Sequence, residues 1–209
     1  MKNLETEYKW DASFPQAFNH IGRIINHGLP HGSVGESTVL SILDVYLDTP
    51  QRNLEKQKVA LRVRCQNGKF ELTLKTRTQI INGKAQRKEY TLPLPNIKTL
   101  REAMAFIHQK KSWKGVRLEE VAETFRIKNK RRLSNIKIAH STAELCLDEC
   151  VIFVCGRQLK MKEVELEITN GKACVFEALV NKITAAGFKP ARISKVASAS
   201  ALLNLWGEK

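Results

Sequence analysis

Apolar and polar residues alternate along most of the chain, which is the pattern of β-strands with one buried face. Segments 59–65, 70–77, 87–94, 142–149 and 161–169 show this alternation. Short turn-forming sequences separate these segments, and an Asn-Gly pair stands between the first two. Because short turns join antiparallel neighbours, we predict a predominantly antiparallel sheet with a tight hairpin at this pair.

A helical period replaces the alternation in several other segments. We predict helices at about 14–28, 97–110, 118–124, 174–186 and 195–206 from the spacing of their apolar residues. These elements predict an α+β fold, mostly antiparallel β, in which the helices pack outside the sheet. We predict one domain over 1–209, with a helical insertion at about 97–124 and C-terminal helices at about 174–206.

The polar faces of the strands carry rows of charge. Glu163, Glu165 and Glu167 share one face of a strand, and Arg62 and Arg64 share one face of another. Like charges in a row repel each other unless opposite charges face them. This arrangement favours a closed barrel with a polar lumen, whose apolar face is covered by helices.

Charge and cysteine content indicate the kind of partner that the protein binds and the cellular compartment in which it works. Among the 209 residues, 35 Lys and Arg stand against 21 Asp and Glu, a net charge of +14, which favours a polyanionic partner. The five cysteines form no CxxC pair and no zinc-type spacing, which is typical of reduced thiols in a cytoplasmic protein. No apolar run is long enough to span a bilayer and no secretory signal is evident, so no membrane partner is expected.

The charged rows also predict a kind of ligand. Clustered carboxylates without Cys or His suit a hard divalent cation, Mg²⁺ or Mn²⁺. Arg and Lys suit phosphate oxygens, since Arg can fork onto two of them and Lys acts as a point charge. Together the two kinds of row predict a site for a metal-bound polyphosphate.

The opening LETEYK, with Glu5, Glu7 and Lys9, resembles the ExExK signature of the CYTH superfamily, the triphosphate tunnel metalloenzymes. Other segments resemble family motifs in the same order along the chain. They are VYLDTP, VALRVR, ELTLK, RKEY, ELCLD, KEVELEI and RISK. With its helical insertion after RKEY, the chain resembles bacterial inorganic triphosphatases most closely.

The resemblance implies a closed eight-stranded antiparallel tunnel that hydrolyses a triphosphate. It implies that metal is held by Glu5, Glu7, Asp148, Glu163, Glu165 and Glu167. It implies that substrate is bound by Lys9, Arg62, Arg64, Lys75, Arg87 and Arg131. The catalytic set it implies is Glu5, Glu7, Lys9, Glu165 and Lys195, with Glu89 orienting a cation or a basic neighbour.

Three individual positions leave alternatives open. In KNKRRL the inward residue is Lys130, Arg131 or Arg132, and spacing back from the acidic strand favours Arg131. Asp48 is at least as well explained as a turn residue, and Tyr46 as a packing residue. The five histidines show no nucleophile or metal spacing.

Several functions are compatible with these residues. Inorganic tripolyphosphate is the leading substrate, with class IV adenylate cyclase and thiamine triphosphatase as alternative activities. A non-catalytic polyphosphate- or RNA-binding protein is a different class, and the row of carboxylates argues against it. Nucleic acid is not an expected partner because no aromatics interleave the basic residues. The oligomeric state is open, monomer or homodimer.

Overall fold

Antiparallel strands make up most of the fold. The computed structural model describes residues 2–29, 32–77, 79–81, 84–191 and 193–207, and within them the side chains of 2–5, 27–28, 79–81 and 84–86 lie outside the description. The strands are β1 Lys2–Asp11, β2 Gly32–Val34, β3 Thr38–Asp48, β4 Ala60–Gln66, β5 Lys69–Lys75, β6 Gln79–Ile81, β7 Lys84–Leu94, β8 Ser112–Trp113, β9 Val116–Arg117, β10 Ala122–Ile138, β11 Ser141–Val154 and β12 Arg157–Asn170.

The helices are fewer and shorter than the strands. They are α1 Ala17–Gly28, α2 Asn53–Lys56, α3 Leu100–Gln109, α4 Glu177–Ala185 and α5 Lys195–Gly207, with 3-10 turns at Leu118–Glu120 and Ala173–Phe176. No helix in the described part of the chain is long and apolar enough to cross a membrane.

The main sheet curls so strongly that its first strand has neighbours on both sides. The strands follow the order β1, β12, β11, β10, β3, β4, β5, β7, and β1 also pairs with β7. β1 pairs with β7 along Lys2–Glu7 and with β12 along Glu7–Asp11, so the two seams are staggered. The predicted antiparallel α+β fold is confirmed in this coarser form, as a strongly curled sheet rather than one closed along the whole of β1.

The hairpin between β4 and β5 is confirmed at the predicted pair. Asn67 and Gly68 have φ angles of 51° and 73°, the left-handed values that a two-residue hairpin turn of the favoured type requires. This turn fixes the register in which Arg64 lies opposite Glu71 and Arg62 lies opposite Thr73. The basic row of β4 is therefore held on one face of the sheet.

Apolar side chains on the outer face of the sheet form two cores. One packs α1 and α4 against β1, β11 and β12, and it includes Trp10, Ile21, Leu166 and Phe176. The other packs α3 and the turn at Leu118–Glu120 against β3, β4 and β5. These helices cover the apolar face of the strands, as predicted.

The C-terminal helix α5 differs from the prediction that all helices lie outside. Its Ala199 packs with Phe125 and Ile127, which lie on the same face of β10 as Arg131. Helix α5 therefore covers part of the face that carries the charged rows. The side of α5 that faces the strands and the charged rows of the sheet together enclose the cavity described below.

The segment predicted as a helical insertion is only partly helical. Helix α3 is confirmed, and its Thr99 side chain accepts a hydrogen bond from the Glu102 N–H, as an N-cap does. The helix predicted at 118–124 is wrong, because a three-residue 3-10 turn precedes β10. From Ala122 the backbone pairs with Asp48 of β3, so the sheet ladder takes the hydrogen bonds that a helix would need.

Candidate functional site

The charged rows of the sheet face a cavity of about 770 Å³. Helix α5 borders it through Lys195, Val196 and Leu203. Charged side chains of both signs from eight strands line the same space. From the sheet they are Glu7, Lys9, Asp44, Asp48, Arg62, Arg64, Glu71, Lys75, Arg87, Glu89, Arg131, Glu144, Glu165 and Glu167.

Three buried carboxylates form a cluster beside this cavity. One carboxylate oxygen from each of Asp148, Glu163 and Glu165 lies within 4.8 Å of the other two. Strand register explains the grouping, because Asp148 on β11 lies opposite Glu163 on β12 and Glu165 is two residues further along β12. Asp148 and Glu163 are 0% and 1% exposed. Such a group needs positive charge close by.

Lys195 and Arg131 provide that charge in the structure. The Lys195 Nζ lies 3.0 Å from Glu163 Oε2 and 3.1 Å from Glu165 Oε1, and it donates to Asp148. The Arg131 guanidinium forks onto Asp148 with two bonds of 2.7 Å and donates a third, 2.6 Å, to Glu165. The first residue of α5 therefore joins the C-terminal helix to the acidic strands.

Protonation follows from this pairing and from burial. Burial would raise the pKa of Glu165, but Lys195, Lys9 and Arg131 hold it well below its usual range. Glu163 differs, because burial outweighs its neighbours and raises its pKa to about 7. The cluster thus combines one glutamate whose pKa is lowered with one whose pKa is raised.

The donor set of the cluster fits a hard divalent cation. All three candidate ligands are carboxylates, which suit Mg²⁺ or Mn²⁺. Both carboxylate oxygens of Glu163 are buried without a hydrogen-bond partner among the described residues, although the Lys195 ammonium is near. A buried carboxylate with unsatisfied oxygens is stabilised by a cation. Asp148, Glu163 and Glu165 could therefore hold a metal ion.

Strand β1 contributes an alternating acid and base to the cavity. The Lys9 Nζ donates to Glu165 Oε1 at 2.7 Å and lies 3.2 Å from Glu7 Oε2. Arg87 donates to the other Glu7 oxygen at 3.1 Å. Burial would lower the pKa of Lys9, but Glu165 and Glu7 raise it above its ordinary value. The side chain of Glu5, the first member of this predicted row, lies outside the described residues.

The basic residues of β4 are held by an acid that the sequence analysis did not identify. Asp44 on β3 accepts two bonds from Arg64, 2.7 and 2.8 Å, and one of 3.3 Å from Arg62. Burial would raise the pKa of Asp44, yet the two guanidiniums lower it well below its usual range. Its signal was its position, since Asp44 lies one residue before VYLDTP and alternates with Tyr46 and Asp48.

Lys75 and Glu89 complete the opposite wall. The Lys75 Nζ lies 2.8 Å from Glu89 Oε2, and Arg62 lies 3.8 Å from the other oxygen of Glu89. Glu89 therefore contacts basic neighbours, one of the two roles considered for it. Glu167 also lines the cavity, opposite Glu7 across the β1–β12 seam.

Strand register and exposure separate the three candidates in KNKRRL. Arg131 lies opposite Asp148 and lines the cavity, whereas Lys130 and Arg132 are exposed on the other face. Tyr46 is buried and stacks on Phe125 with ring centroids 4.7 Å apart, which is a packing role.

The carboxylate of Asp48 is occupied by backbone hydrogen bonds. Its oxygens accept from the N–H groups of Thr49, Leu54 and Glu55 at 2.7, 2.9 and 2.9 Å. Two backbone donors in the first turn of α2 and one in the turn that precedes it thus converge on one side chain. This geometry matches the turn role and leaves little capacity for a ligand.

Replacing Asp48 by alanine should therefore lower the free energy of unfolding by about 1–2 kcal/mol, because three backbone donors lose their acceptor. Urea unfolding measures this change. Asp11→Ala, which removes an exposed carboxylate bonded to the Ser13 N–H, is the control and should change stability by less than about 0.5 kcal/mol. Unchanged stability with lost activity in Asp48→Ala would instead place this carboxylate on the substrate.

The chain belongs to the CYTH domain family, whose sequence pattern it matches over residues 3–196. It is also 27% identical over 128 residues to a protein of Haemophilus influenzae named inorganic triphosphatase. That match covers 61% of this chain and 36% of the relative, so the chain spans about a third of the relative's length.

Solved structures show the same fold at low sequence identity. The Hippeastrum protein whose structure is reported to reveal a dominant triphosphatase activity has a TM-score of 0.63 and 20% identity, with 94% of this chain and 95% of that chain covered. A protein of Pyrococcus horikoshii has a TM-score of 0.63 and 19% identity, with 95% and 99% covered. These likenesses show that the chain shares the fold of these two proteins.

Proposed function

We propose that the protein hydrolyses a triphosphate in this cavity with the help of Mg²⁺ or Mn²⁺. The leading substrate is inorganic tripolyphosphate, cleaved to pyrophosphate and phosphate. The observation that carries the proposal is the buried cluster of Asp148, Glu163 and Glu165 beside a cavity lined by Arg and Lys. The inorganic triphosphatase of Haemophilus influenzae supports the same reaction.

The basic side chains would bind the phosphate oxygens. Arg62, Arg64, Lys75, Arg87 and Arg131 line the same space and at present form ion pairs with acids of the wall. A triphosphate offers anionic oxygens that accept the same charge-assisted hydrogen bonds. Arginine guanidiniums can fork onto two oxygens of one phosphoryl group, which positions it for in-line attack.

The acidic side chains would hold the metal and position water. Asp148, Glu163 and Glu165 form the core of the proposed metal site, with Glu5, Glu7 and Glu167 as further proposed ligands. A bound divalent cation would neutralise phosphoryl oxygens and lower the pKa of a bound water molecule. Lys9 and Lys195 contact this carboxylate cluster and would stabilise charge that develops on the transferred phosphoryl group.

Cytoplasmic location, a single domain over 1–209 and a monomeric or homodimeric state remain predictions.

Substrate choice can be tested by following phosphate release from tripolyphosphate, ATP and thiamine triphosphate with Mg²⁺ or with Mn²⁺. Cyclic AMP is measured in the ATP reaction, since its formation would favour the cyclase alternative. We expect the fastest release from tripolyphosphate. Absence of turnover with every triphosphate and both metals, together with binding that persists in EDTA, would identify a binding protein instead.

Arg64→Ala should reduce kcat/KM for tripolyphosphate by about 1.5–3 kcal/mol, roughly 10- to 150-fold, because a forked charge-assisted contact to phosphate is lost. Steady-state kinetics on folded protein measure the change. The matched control is Arg126→Ala, since Arg126 forks onto Glu123 at 2.6 and 2.7 Å outside the cavity. Equal losses in both variants would show that Arg64 has no contact with substrate.

A further inference from the structure

Four lysines line a groove on the outer face of the sheet, opposite the cavity. Lys128 and Lys130 come from β10, and Lys160 and Lys162 come from β12. The groove has a volume of about 870 Å³ and reaches the hairpin turn between β4 and β5. All four lysines are exposed, and α1 meets the groove at Lys162 through Phe18.

Strand register spaces the four lysines regularly. Lys130 and Lys162 both lie opposite Glu149 of β11, and Lys128 and Lys160 both lie opposite Val151 of the same strand. Residues two apart on a strand are separated by roughly 7 Å, and strands two apart by roughly 10 Å. The lysines therefore stand at the corners of a rectangle of about that size.

The charge of this lysine groove is unbalanced. None of the four lysines forms an ion pair with any residue that the structure describes, and Glu149 is the acid among the residues that line the groove. Four like charges at this spacing repel one another and attract an extended anion. The net charge of +14 reinforces this attraction.

Two aromatic rings near the groove are covered by its lysines. The Lys128 Nζ lies 5.4 Å from the centroid of the Phe153 ring, and the Lys162 Nζ lies 5.4 Å from that of Phe18. A nucleic acid strand would need open aromatic faces on which its bases could stack. Lysine point charges without such faces favour a polyanion that carries no bases.

We propose that the lysine groove binds linear inorganic polyphosphate. The ammonium groups would pair with successive phosphate oxygens along the groove. This binding goes beyond the proposed hydrolysis, because the groove lies on the opposite face of the sheet from the cavity and its occupancy needs neither metal nor turnover. Polyphosphate binding in the lysine groove is therefore independent of the triphosphatase activity.

The test measures binding of fluorescently labelled long-chain polyphosphate by anisotropy in EDTA. The variant replaces Lys128, Lys130, Lys160 and Lys162 by glutamine, and we expect its affinity to fall roughly tenfold or more, with a shallower dependence on salt. The matched control replaces four exposed lysines elsewhere by glutamine, and its affinity for polyphosphate should fall by less than about twofold. These lysines are Lys56, Lys98, Lys110 and Lys189. Tripolyphosphate turnover of the groove variant should equal that of the unmodified protein.

Three results would overturn the proposal. Equal losses in the groove variant and in the dispersed control would mean that net charge alone governs binding. Loss of polyphosphate binding in Arg64→Ala would place the polyanion in the cavity. Tighter binding of single-stranded RNA of matched length would identify nucleic acid as the ligand of the groove. Circular dichroism spectra confirm that each variant is folded.

Discussion

Replacing Glu163 by glutamine is expected to stabilise the metal-free protein at pH 8 and to remove most of its stabilisation by Mg²⁺ or Mn²⁺. Burial raises the pKa of Glu163 from 4.5 to about 7, so the folded state prefers the neutral carboxyl group. Glutamine keeps the shape of that group without its charge. The variant should therefore be more stable than the unmodified protein without metal and gain less stability with it. A general loss of packing would not produce this pattern.

The sign of the pH dependence follows from the raised pKa. For an acid whose folded pKa exceeds its unfolded value, the favourable contribution is present below the unfolded pKa and is lost as pH rises through the folded pKa. The window for Glu163 therefore runs from about pH 4.5 to about pH 7. At pH 8 the ionised, buried carboxylate should cost about 2–3 kcal/mol, a cost that Glu163→Gln removes.

Urea unfolding in EDTA at pH 5 and at pH 8 measures this cost. The difference between the variant and the unmodified protein should be large at pH 8 and small at pH 5. The control is Glu149→Gln, the same change on the exposed face of β11, which should shift stability by less than about 0.5 kcal/mol at either pH.

A divalent cation should then make the unmodified protein more stable than Glu163→Gln. A ligand that binds the folded state at about 100 times its Kd stabilises it by about 2.7 kcal/mol. The unmodified protein should gain this amount with Mg²⁺ or Mn²⁺, whereas Glu163→Gln should gain much less because one carboxylate ligand is missing. If neither cation raises the stability of the unmodified protein, the cluster is not a metal site.

Local sequence patterns were sufficient for the strands and for most of the charged rows. Alternation in VALRVRC placed Arg62 and Arg64 on one face, and the structure has both lining the cavity. The same rule combined with register distinguishes Arg131 from its neighbours, since it lies opposite Asp148. Alternation works here because it depends on backbone geometry alone, which every strand shares.

Features that depend on distant parts of the chain were not predictable in the same way. The stagger at β1 depends on how strands from both ends of the sequence meet. The place of α5 depends on apolar contacts with Phe125 and Ile127, which alternate with charged residues on β10. Asp44 was missed because its role depends on two arginines that lie about 20 residues away.

The failed helix at 118–124 illustrates competition between elements. Leu118 and Val121 have helical spacing and are both buried, so the spacing signal was real. Both side chains are buried instead by a short turn that packs against α3. β10 then begins at Ala122 and gains a full ladder with β3, which outweighs one further turn of helix.

Replacing Arg131 by methionine is expected to lower the free energy of unfolding by about 3–5 kcal/mol at neutral pH. Its guanidinium makes three hydrogen bonds to Asp148 and Glu165, and both carboxylates are buried. Removing one partner of a buried ion pair costs about this amount. Lys195 remains beside both carboxylates and Lys9 beside Glu165, which places the expected loss at the lower end of the range. Methionine retains most of the side-chain volume, so the change isolates the charge.

Two further variants separate the lost pairing from lost packing. Lys130→Met alters the exposed neighbour and should change stability by less than about 0.5 kcal/mol. The double variant Arg131→Met with Asp148→Asn should recover part of the loss, because a buried carboxylate that has lost its arginine is removed. Strictly additive losses in this double-mutant cycle would contradict a direct interaction between the two side chains.

The loss in Arg131→Met should also depend on pH. The pKa values of Asp148 and Glu165 are lowered in the folded protein, so their contribution to stability is present above the ordinary carboxyl pKa and is lost as pH falls through the folded value. Because Arg131 supplies part of that lowering, the difference between the variant and the unmodified protein should shrink as the solution is acidified. Urea unfolding between pH 3 and pH 7 measures it, with pH values chosen about the ordinary carboxyl pKa of roughly 4. A difference that stays constant across this range would assign the loss to packing of the Arg131 stem rather than to its charge.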